Sequence, residues 1–296
     1  QTSSMATAIC SGVHSVTVSD ANNCTISVSG VLTDPTAIVV NPQVLSNFNG
    51  SPISCPGAAD GSVGVTASGG TGGLNFTWSP LGQNTPVISG LLEDTYCVTV
   101  TDAVGCTADT CITISDPVQL AATLTKVDIF CNGDANGQIL VTATPGTGTL
   151  GVNGYEYKIT GPGQSGNVFS AVNNFSNLGA GTYTIVVRDG NNCEIQLTID
   201  IIEPPLVLID SVIVVDALCF GAASGTATAY PSGGVGNFTY LWSGTAAGQT
   251  AQTATGLALG VYSVTVIDGN GCDRVDVFNV GQAVQLTGSI TGGTIP

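Results

Sequence analysis

The stretch Tyr262–Cys272, YSVTVIDGNGC, alternates apolar and polar residues and ends in a run of Asp, Gly and Asn. This pattern predicts a β-strand that leads into a hairpin turn. Nearly the same phrase occurs three more times, as HSVTVSDANNC at His14–Cys24, YCVTVTDAVGC at Tyr96–Cys106 and YTIVVRDGNNC at Tyr183–Cys193. Four copies of one supersecondary unit indicate a tandem array.

The spacing of the copies gives the size of the repeating domain. Their final cysteines lie 82, 87 and 79 residues apart, which is the size of an immunoglobulin-like sandwich. Of the 296 residues, 43% are apolar, and Val, Ile and Thr recur in short alternating runs. We therefore predict an all-β fold, a tandem array of immunoglobulin-like β-sandwich domains. Prolines such as Pro35, Pro117 and Pro204 close the units, so very short linkers are expected between the domains.

The repeats divide the chain into five predicted segments. Residues 1–35 are the C-terminal half of a repeat, 36–117, 118–204 and 205–283 are complete repeats, and 284–296 are the first strand of a further repeat. We call the three complete segments the first, second and third repeat. The sequence is therefore expected to be part of a longer array, or a subunit whose ends are completed by neighbouring copies.

A second landmark, a cysteine followed by a Gly-rich turn, precedes the hairpin phrase in each complete repeat. It reads CPGAADGSVGVTASGG from Cys55, CNGDANGQILVTATPG from Cys131 and CFGAASGTATAYPSGG from Cys219. We predict one disulfide inside each repeat, and the predicted pairs are Cys55–Cys106, Cys131–Cys193 and Cys219–Cys272. Zinc binding by these thiols is disfavoured because the sequence has no closely spaced CxxC pair. Disulfides would place the protein in an oxidising compartment.

Two further cysteines are expected to form a bridge of their own. If the hairpin turn is centred on Val104, Cys97 and Cys111 face each other across two antiparallel strands. Alternation along the strand puts them on the outer face, opposite the face that carries Tyr96. The same register does not make Cys10 and Cys24 natural partners, so their pairing is left open.

The charge of the chain disfavours two classes of partner. Twenty acidic residues face only four Lys and Arg, and the formal net charge is −16. Such a surface repels nucleic acid and anionic lipid. The most apolar window, Ile201–Phe220, is interrupted by Glu203, two prolines, Asp210 and Asp216, so no membrane insertion is predicted.

Aromatic residues at two matching places have two interpretations. The runs LNFTW, ending at Trp78, and NFTYLW, ending at Trp242, place alternate rings on one face. Exposed rings of this kind could form a platform for polysaccharide. The favoured interpretation is a core strand packed on a buried disulfide, as in immunoglobulin domains.

An aspartate begins every hairpin turn, and it also has two interpretations. These residues are Asp20, Asp102, Asp189 and Asp268. Calcium could bind them between domains, with Asp60 or Asp134 as further ligands. The favoured interpretation is an Asx turn, in which the carboxylate accepts backbone N–H groups. We therefore expect no cofactor, with calcium as the alternative.

The residues do not form a recognisable catalytic set, so the chain is predicted not to be an enzyme. The one histidine, His14, stands where the other copies have tyrosine, and no Ser, Cys or Thr has an identifiable base beside it. Glycosylation sequons occur at matching places, Asn75 and Asn237, beside the aromatic runs.

The unit CxGxxxGxxxVxAxGGxxxxxYxW…LxxGxYxVxVxDxxGC…P resembles the SprB repeat, found in large surface adhesins of gliding bacteria. The resemblance covers nearly the whole chain; the second repeat departs from it by lacking Trp and by an insertion at Gly161–Phe175. It implies a secreted, extracellular cell-surface protein, exported by type IX secretion and displayed as a filament that contacts a substratum. The implied function is that of structural and adhesive stalk repeats for gliding motility.

Other functions remain as alternatives at this point. They are an array of modules that bind polysaccharide or calcium, and a filament subunit that polymerises by strand complementation. The expected partners are neighbouring repeats or copies of the same chain in a filament, with surface polysaccharide as a further candidate.

Overall fold

The computed structural model describes residues 4–7, 9–144, 154–166, 168–289 and 292. Within these residues the chain forms twenty β-strands and one short 3₁₀ helix, Gly244–Ala246. Among the described residues no helix is long and apolar enough to cross a membrane.

The first repeat is a sandwich of two three-stranded antiparallel sheets. Its strands are β3 (Val39–Val44), β4 (Gly61–Ser68), β5 (Asn75–Ser79), β6 (Val87–Leu91), β7 (Asp94–Thr101) and β8 (Thr107–Ile114). One sheet has the order β3–β4–β6 and the other β5–β7–β8. Buried residues of both sheets, among them Val63, Ile88, Trp78 and Val98, form one core. The predicted all-β fold of small sandwich domains is confirmed.

Alternation along β7 shows why this sequence forms a strand with one face inward. Tyr96, Val98 and Val100 are buried, whereas the residues between them are only partly buried. Successive side chains of a strand point to opposite faces, so one apolar residue in every two is enough to make a core face. Burying each of these side chains contributes about 1.5–3 kcal/mol before the entropy of ordering is subtracted.

The second repeat has the same order of sheets. Its strands are β9 (Ala121–Val127), β10 (Gly137–Thr144), β11 (Glu156–Thr160), β12 (Asn174–Leu178), β13 (Gly181–Arg188) and β14 (Glu194–Ile201). They form the sheets β9–β10–β12 and β11–β13–β14.

The third repeat follows the same plan and has a continuous core. Its strands are β15 (Leu208–Val215), β16 (Gly225–Ser232), β17 (Thr239–Trp242), β18 (Thr253–Leu257), β19 (Gly260–Ile267) and β20 (Asp273–Val280). The sheets are β15–β16–β18 and β17–β19–β20. In the core, the Phe278 ring packs edge to face against Trp242 and stacks on Tyr262.

The segment before the first repeat is a two-stranded hairpin of β1 (Gly12–Ser19) and β2 (Thr25–Leu32). Val16 faces Val28 across the ladder and Val18 faces Ile26, and all four side chains are exposed. In the first repeat the matching residues of β7, Val98 and Val100, are fully buried. The hairpin therefore has an apolar face that the described residues leave uncovered.

The chain separates into two compact units. Unit 1 comprises described residues up to Leu120 together with Asp189–Cys193, and unit 2 comprises 121–144, 154–188 and the described residues from 194 onward. The hairpin turn at the end of β13 thus belongs to unit 1. All described strands of the repeats lie inside the predicted boundaries, which stay predictions.

The predicted strand 284–296 lies only partly within the described residues. Residues 284–289 form no strand. Residues 290–291 and 293–296 lie outside the described part of the chain.

Candidate functional site

Each hairpin turn is closed by its aspartate; we call the segments Asp20–Cys24, Asp102–Cys106, Asp189–Cys193 and Asp268–Cys272 the hairpin tips. In the first repeat, Oδ1 of Asp102 accepts hydrogen bonds from the N–H of Val104 at 3.0 Å and of Cys106 at 2.8 Å. The Asp102 N–H donates in turn to the Cys106 carbonyl at 3.0 Å. The same three bonds occur in the other three tips. The aspartates therefore build Asx turns.

The second carboxylate oxygen of two tips also has a structural partner. Oδ2 of Asp102 accepts from the Thr71 N–H at 2.9 Å, and Oδ2 of Asp268 accepts from the Val235 N–H at 2.8 Å. The two side chains are buried, with 3% and 5% of their surface exposed. Burial raises the pKa of each carboxyl group, but the backbone N–H donors outweigh it, so both pKa values lie below the usual range.

These contacts bear on the alternative of calcium binding. Among the described residues no group of three or more His, Cys, Asp and Glu side chains could hold a metal ion. Because the carboxylate oxygens already accept backbone N–H groups, the geometry favours the turn role. A calcium role for Asp20, Asp102, Asp189 and Asp268 stays a prediction.

The first cysteine of each disulfide landmark lies in a short loop between the first two strands of its repeat. We call these loops, Ser54–Asp60, Phe130–Asn136 and Leu218–Ser224, the opening loops. In the first, the Ser54 N–H donates to Oδ1 of Asp60 at 3.1 Å, and the Ala58 N–H donates to the Cys55 carbonyl at 2.9 Å. The Gly57 N–H donates to Oδ2 of Asp116 at 2.9 Å. Asp116 follows β8, so this bond fixes the loop beside the end of that strand.

The other opening loops repeat this arrangement with different side chains. In the second, Phe130 N–H donates to Asn136 Oδ1 at 3.2 Å and Gly133 N–H to Glu203 Oε2 at 2.8 Å. In the third, Leu218 N–H donates to Ser224 Oγ at 3.0 Å and Gly221 N–H to Gln282 Oε1 at 2.8 Å. Each loop is therefore held by the segment that closes its own repeat.

The opening loops and hairpin tips are joined by disulfides, but not in the predicted pairs. Cys55 is bonded to Cys193 and Cys131 is bonded to Cys272, across 138 and 141 residues of sequence. Cys106 and Cys219 carry free thiols. The predicted pairs Cys55–Cys106, Cys131–Cys193 and Cys219–Cys272 are wrong: an opening cysteine bonds to the tip of the following repeat, not to the tip of its own.

The position of the opening loop explains why Cys55 does not pair with Cys106. The N–H of Gly57 is hydrogen-bonded to Asp116, which lies just beyond the last residue of β8. Cys106 lies just before the first residue of β8. Eight residues of extended strand, or about 26 Å, separate the two ends. A disulfide needs Cα atoms within about 7 Å, so Cys55 cannot reach Cys106 without breaking the sandwich. The bridge is therefore not in the core, and Trp78 belongs to a core cluster that contains no cysteine.

A side-chain amide accompanies each of the two bonds. Nδ2 of Asn191 donates to the carbonyls of Phe48 and Ser54, at 3.3 and 3.1 Å, and Nδ2 of Asn270 donates to the Phe130 carbonyl at 2.9 Å. Sγ of Cys193 lies 3.1 Å from the Ser54 carbonyl oxygen, and Sγ of Cys272 lies 3.3 Å from that of Phe130. Sequence reasoning missed both asparagines. The available signal was an Asn two residues before the cysteine in three of the four copies.

The outer-face bridge of the first repeat is present. Cys97 and Cys111 are bonded, and they are directly opposed in the β7–β8 register that the turn centre predicts. Of the remaining cysteines, Cys10 and Cys24 are free and exposed, as are Cys106 and Cys219.

The two tryptophans belong to the cores. Trp78 is 1% exposed and Trp242 is 4% exposed. Their indole N–H groups donate to the carbonyls of Thr85 and Ala251, both at 2.9 Å. Buried rings cannot form the aromatic platform, so that form of polysaccharide binding is excluded. The sequons Asn75 and Asn237 are exposed, and their glycosylation stays a prediction.

In each complete repeat, a tyrosine hydroxyl group donates to a backbone carbonyl just before the strand that leads into the hairpin. The hydroxyl groups of Tyr96, Tyr183 and Tyr262 donate to the carbonyls of Leu92, Gly179 and Ala258, at 3.1, 3.0 and 3.1 Å. This contact, four residues upstream, resembles the tyrosine corner of Greek-key sandwiches. His14 takes the place in the first copy, where its Nε2 lies 2.6 Å from the Cys10 carbonyl.

One known protein family matches the chain, and its matches fall on the three repeats of the structure. The family model of the SprB repeat matches residues 47–83, 123–164 and 211–247, once in each sandwich. These three matches support a place for the chain in the SprB-repeat family. Each match begins before an opening loop, within or just after the first strand of its repeat, and ends shortly after β5, β11 or β17. The SprB motif therefore marks the front half of each sandwich.

Similar solved structures include three domains of the bacteriophage RB49 capsid protein Hoc, at 11% identity and TM-score 0.40, with 85% of this chain and all of that one covered. Eight Ig domains of Down Syndrome Cell Adhesion Molecule match at 12% identity and TM-score 0.39, and the surface layer protein SbsC matches at 18% and 0.28. The aligned regions cover 92% and 93% of this chain, but under half of those two chains, 43% and 45%. No curated protein matches the chain.

Because all three TM-scores fall below 0.5, the fold rests on the sheets described above and not on these likenesses. The SprB repeats and the disulfides together indicate an extracellular repeat region, and a repeat family of this kind points to a non-catalytic structural module.

Proposed function

We propose that this chain is a length of stalk in a secreted, adhesive filament on the cell surface, of the type used in gliding motility and exported by type IX secretion. The proposal takes its cellular setting from the SprB repeats. The observation that carries it is the pair of disulfides between an opening loop and the hairpin tip of the following repeat.

These bonds give consecutive repeats a second covalent connection. The backbone connects β8 to β9 through residues 115–120, and β14 to β15 through residues 202–207. Cys55–Cys193 and Cys131–Cys272 add a connection beside each of these segments. A pulling force is then shared between the linker and the disulfide. A stalk that holds a moving cell to a surface needs such joints, whereas a catalytic domain does not.

The partners in this proposal are neighbouring repeats and copies of the chain within a filament. The net charge of −16 supports neither nucleic acid nor anionic lipid as a partner. Surface polysaccharide would bind through a surface other than the tryptophans. The chain performs no catalysis and needs no cofactor in this proposal.

The test is a bead assay on intact cells that express the protein. Beads coated with an antibody raised against the 296-residue chain should attach to the cells and be carried along their surface. Beads coated with an antibody of unrelated specificity are the control. Binding only after the cells are permeabilised would contradict a surface location, and bound beads that stay still would contradict the gliding role.

A second candidate, polymerisation by strand complementation, is supported by the uncovered face of the β1–β2 hairpin. Val16, Val18, Ile26 and Val28 are 59–66% exposed. In a complete repeat the equivalent face is covered by a second sheet, so a second copy could supply the missing strands. The double variant Val16→Asp and Val28→Asp should abolish concentration-dependent association in sedimentation experiments. Association that is unchanged would exclude this route.

A further inference from the structure

A half-open cavity lies beside the loop–tip disulfide Cys131–Cys272. It has a volume of about 230 Å³, and both cysteines of the bond line it. Both are partly exposed. In the other loop–tip disulfide, by comparison, Cys193 is buried, with 8% of its surface exposed. A small molecule in solution therefore reaches the Cys131–Cys272 bond through this cavity.

Hydrogen bonds hold the two bonded hairpin tips to different extents. Nδ2 of Asn191 donates to two carbonyls of the first repeat, at 3.1 and 3.3 Å, and Nδ2 of Asn49 donates to the Gly190 carbonyl at 3.4 Å. In the tip of the third repeat, Nδ2 of Asn270 donates to the Phe130 carbonyl at 2.9 Å. Within the described part of the chain, fewer hydrogen bonds therefore oppose the opening of the Cys131–Cys272 bond.

The lining of the cavity is acidic. It includes the carboxylates of Asp134 and Asp273 and the apolar side chain of Leu206, and among its described residues there is no Lys or Arg. The first opening loop has Ala58 in the place of Asp134: their N–H groups donate to the carbonyl of the loop cysteine, at 2.9 and 3.1 Å. Carboxylates attract a nearby cation and repel a nearby anion. The cavity therefore favours a small molecule that carries a positive charge.

From these observations we propose that the cavity is a reaction site for small aminothiols, molecules in which a primary amine and a thiol are joined by a short carbon chain. The ammonium group binds to Asp134 and Asp273, and the thiol opens the Cys131–Cys272 disulfide. The second and third repeats are then joined covalently by residues 202–207 alone. The site thus controls the second covalent connection between these two repeats.

The chemistry is thiol–disulfide exchange. The thiolate of the aminothiol attacks one Sγ atom, the bond between Cys131 and Cys272 breaks, and the released cysteine thiolate takes a proton from water. The product is a mixed disulfide of the protein and the aminothiol. A second aminothiol attacks the aminothiol sulfur of this mixed disulfide and releases the other cysteine as a thiol. In total the protein gains two electrons and two protons, and two aminothiol molecules are oxidised to their disulfide.

The test compares three small thiols of different charge. They are cysteamine, which carries an ammonium group, uncharged mercaptoethanol and anionic mercaptoethanesulfonate. The free thiols of the folded chain are first blocked with N-ethylmaleimide, so that they cannot exchange with the disulfides; they are Cys10, Cys24, Cys106 and Cys219. After timed exposure to each thiol, the newly formed cysteine thiols are alkylated with iodoacetamide and located in peptic peptides by mass spectrometry.

The measured quantity is a rate ratio, the opening rate of Cys131–Cys272 divided by that of Cys55–Cys193. The division cancels the intrinsic reactivity of each thiol. With cysteamine the ratio should exceed one, and it should be roughly fivefold higher than with mercaptoethanol, the effect of one close ion pair in water. With mercaptoethanesulfonate it should be lower still. Added salt should reduce these differences, because it screens the carboxylates.

Asp134→Ala tests the carboxylate with the residue that the first opening loop already has in this place. It should lower the rate ratio with cysteamine towards that with mercaptoethanol, and it should leave the ratio with mercaptoethanol unchanged. Asp109→Asn, at an exposed position on β8, is the matched control and should change none of the ratios. Opening of the outer-face bond Cys97–Cys111 is followed in the same peptides but does not enter the ratio.

Three results would overturn the proposal. They are a ratio below one with cysteamine, a ratio that is the same for all three thiols, and an Asp134→Ala ratio with cysteamine equal to that of the unaltered chain. The proposal does not depend on adhesion or gliding, and immobile beads in the assay above would leave it standing. It is also separable from strand complementation, since the β1–β2 hairpin takes no part in it.

Discussion

Cys55 is bonded to Cys193 of the following repeat, while Cys106, the partner that its own repeat offers, is a free thiol. The two cysteines of a repeat lie at opposite ends of a strand pair. A cysteine pair that recurs in every repeat therefore joins repeats to one another instead of stapling each sandwich. The stability of one repeat should then depend on its neighbour.

We expect loss of a loop–tip disulfide to destabilise the repeats that it joins. The double variant Cys55→Ser and Cys193→Ser should lower the free energy of unfolding by about 2–4 kcal/mol, because the unfolded chain is no longer closed into a long loop. Urea unfolding should be followed by the fluorescence of Trp78 in the first repeat, with Trp242 replaced by Phe.

The control for this prediction is the outer-face bridge. Removing Cys97 and Cys111 opens a loop with a sequence separation of only 14 residues, so the loss should be smaller. If both double variants shifted the Trp78 transition equally, the length of the closed loop would not be what stabilises the repeat.

We expect the first repeat to lose stability in acid through Asp102. The pKa of its carboxyl group is lower in the folded state than the ordinary value, so the carboxylate stabilises the fold fully above about pH 3.9. This contribution falls as the pH decreases through the folded pKa. Asp102→Asn should be less stable than the unaltered chain at pH 7 and should lose less on acidification.

The measurement is the urea midpoint of the Trp78 transition between pH 7 and pH 2. Asp109→Asn, a substitution of an exposed acid on β8, is the control and should retain the acid-dependent loss. An Asp102→Asn profile parallel to that of the unaltered chain would show that the buried carboxylate does not contribute to the pH dependence.

We expect Trp78 and Trp242 to act as core residues. Trp78→Ala should cost about 3–5 kcal/mol, because a large buried ring leaves a cavity. The fluorescence of both indoles should resist quenching by acrylamide and should not change when polysaccharide is added. Leu81→Ala, at a half-exposed position, is the control and should cost far less. Ready quenching of the native protein would contradict the buried location.

We expect the tyrosine hydroxyl groups to contribute modestly to each sandwich. Tyr96→Phe should lower the free energy of unfolding by about 1 kcal/mol, since it removes one hydrogen bond to the Leu92 carbonyl and no ring contact. Tyr230→Phe is the control, because that residue is 44% exposed and lies outside the buried core. If Tyr96→Phe left the free energy of unfolding unchanged, the Tyr96 hydroxyl group would not have the stabilising role that it has in a tyrosine corner.

The sequence by itself determined the local structure of this protein. Strict alternation in stretches such as Tyr96–Thr101 identifies strands and their buried face, because side chains of a strand alternate between its two sides. The centre of the turn at Val104 placed Cys97 opposite Cys111, since antiparallel register follows from the turn alone. The recurrence of the phrase identified an array.

Only the tertiary structure decided which distant cysteines meet. Pairing of Cys55 with Cys193 depends on which end of a sandwich holds the opening loop, and that is set by the hydrogen bond from Gly57 to Asp116, which lies 59 residues further along. Burial of Trp78 was likewise settled by the packing of two sheets. Local patterns depend on the geometry of one strand or turn, whereas these contacts depend on how whole elements fold onto one another, which no spacing in the sequence records.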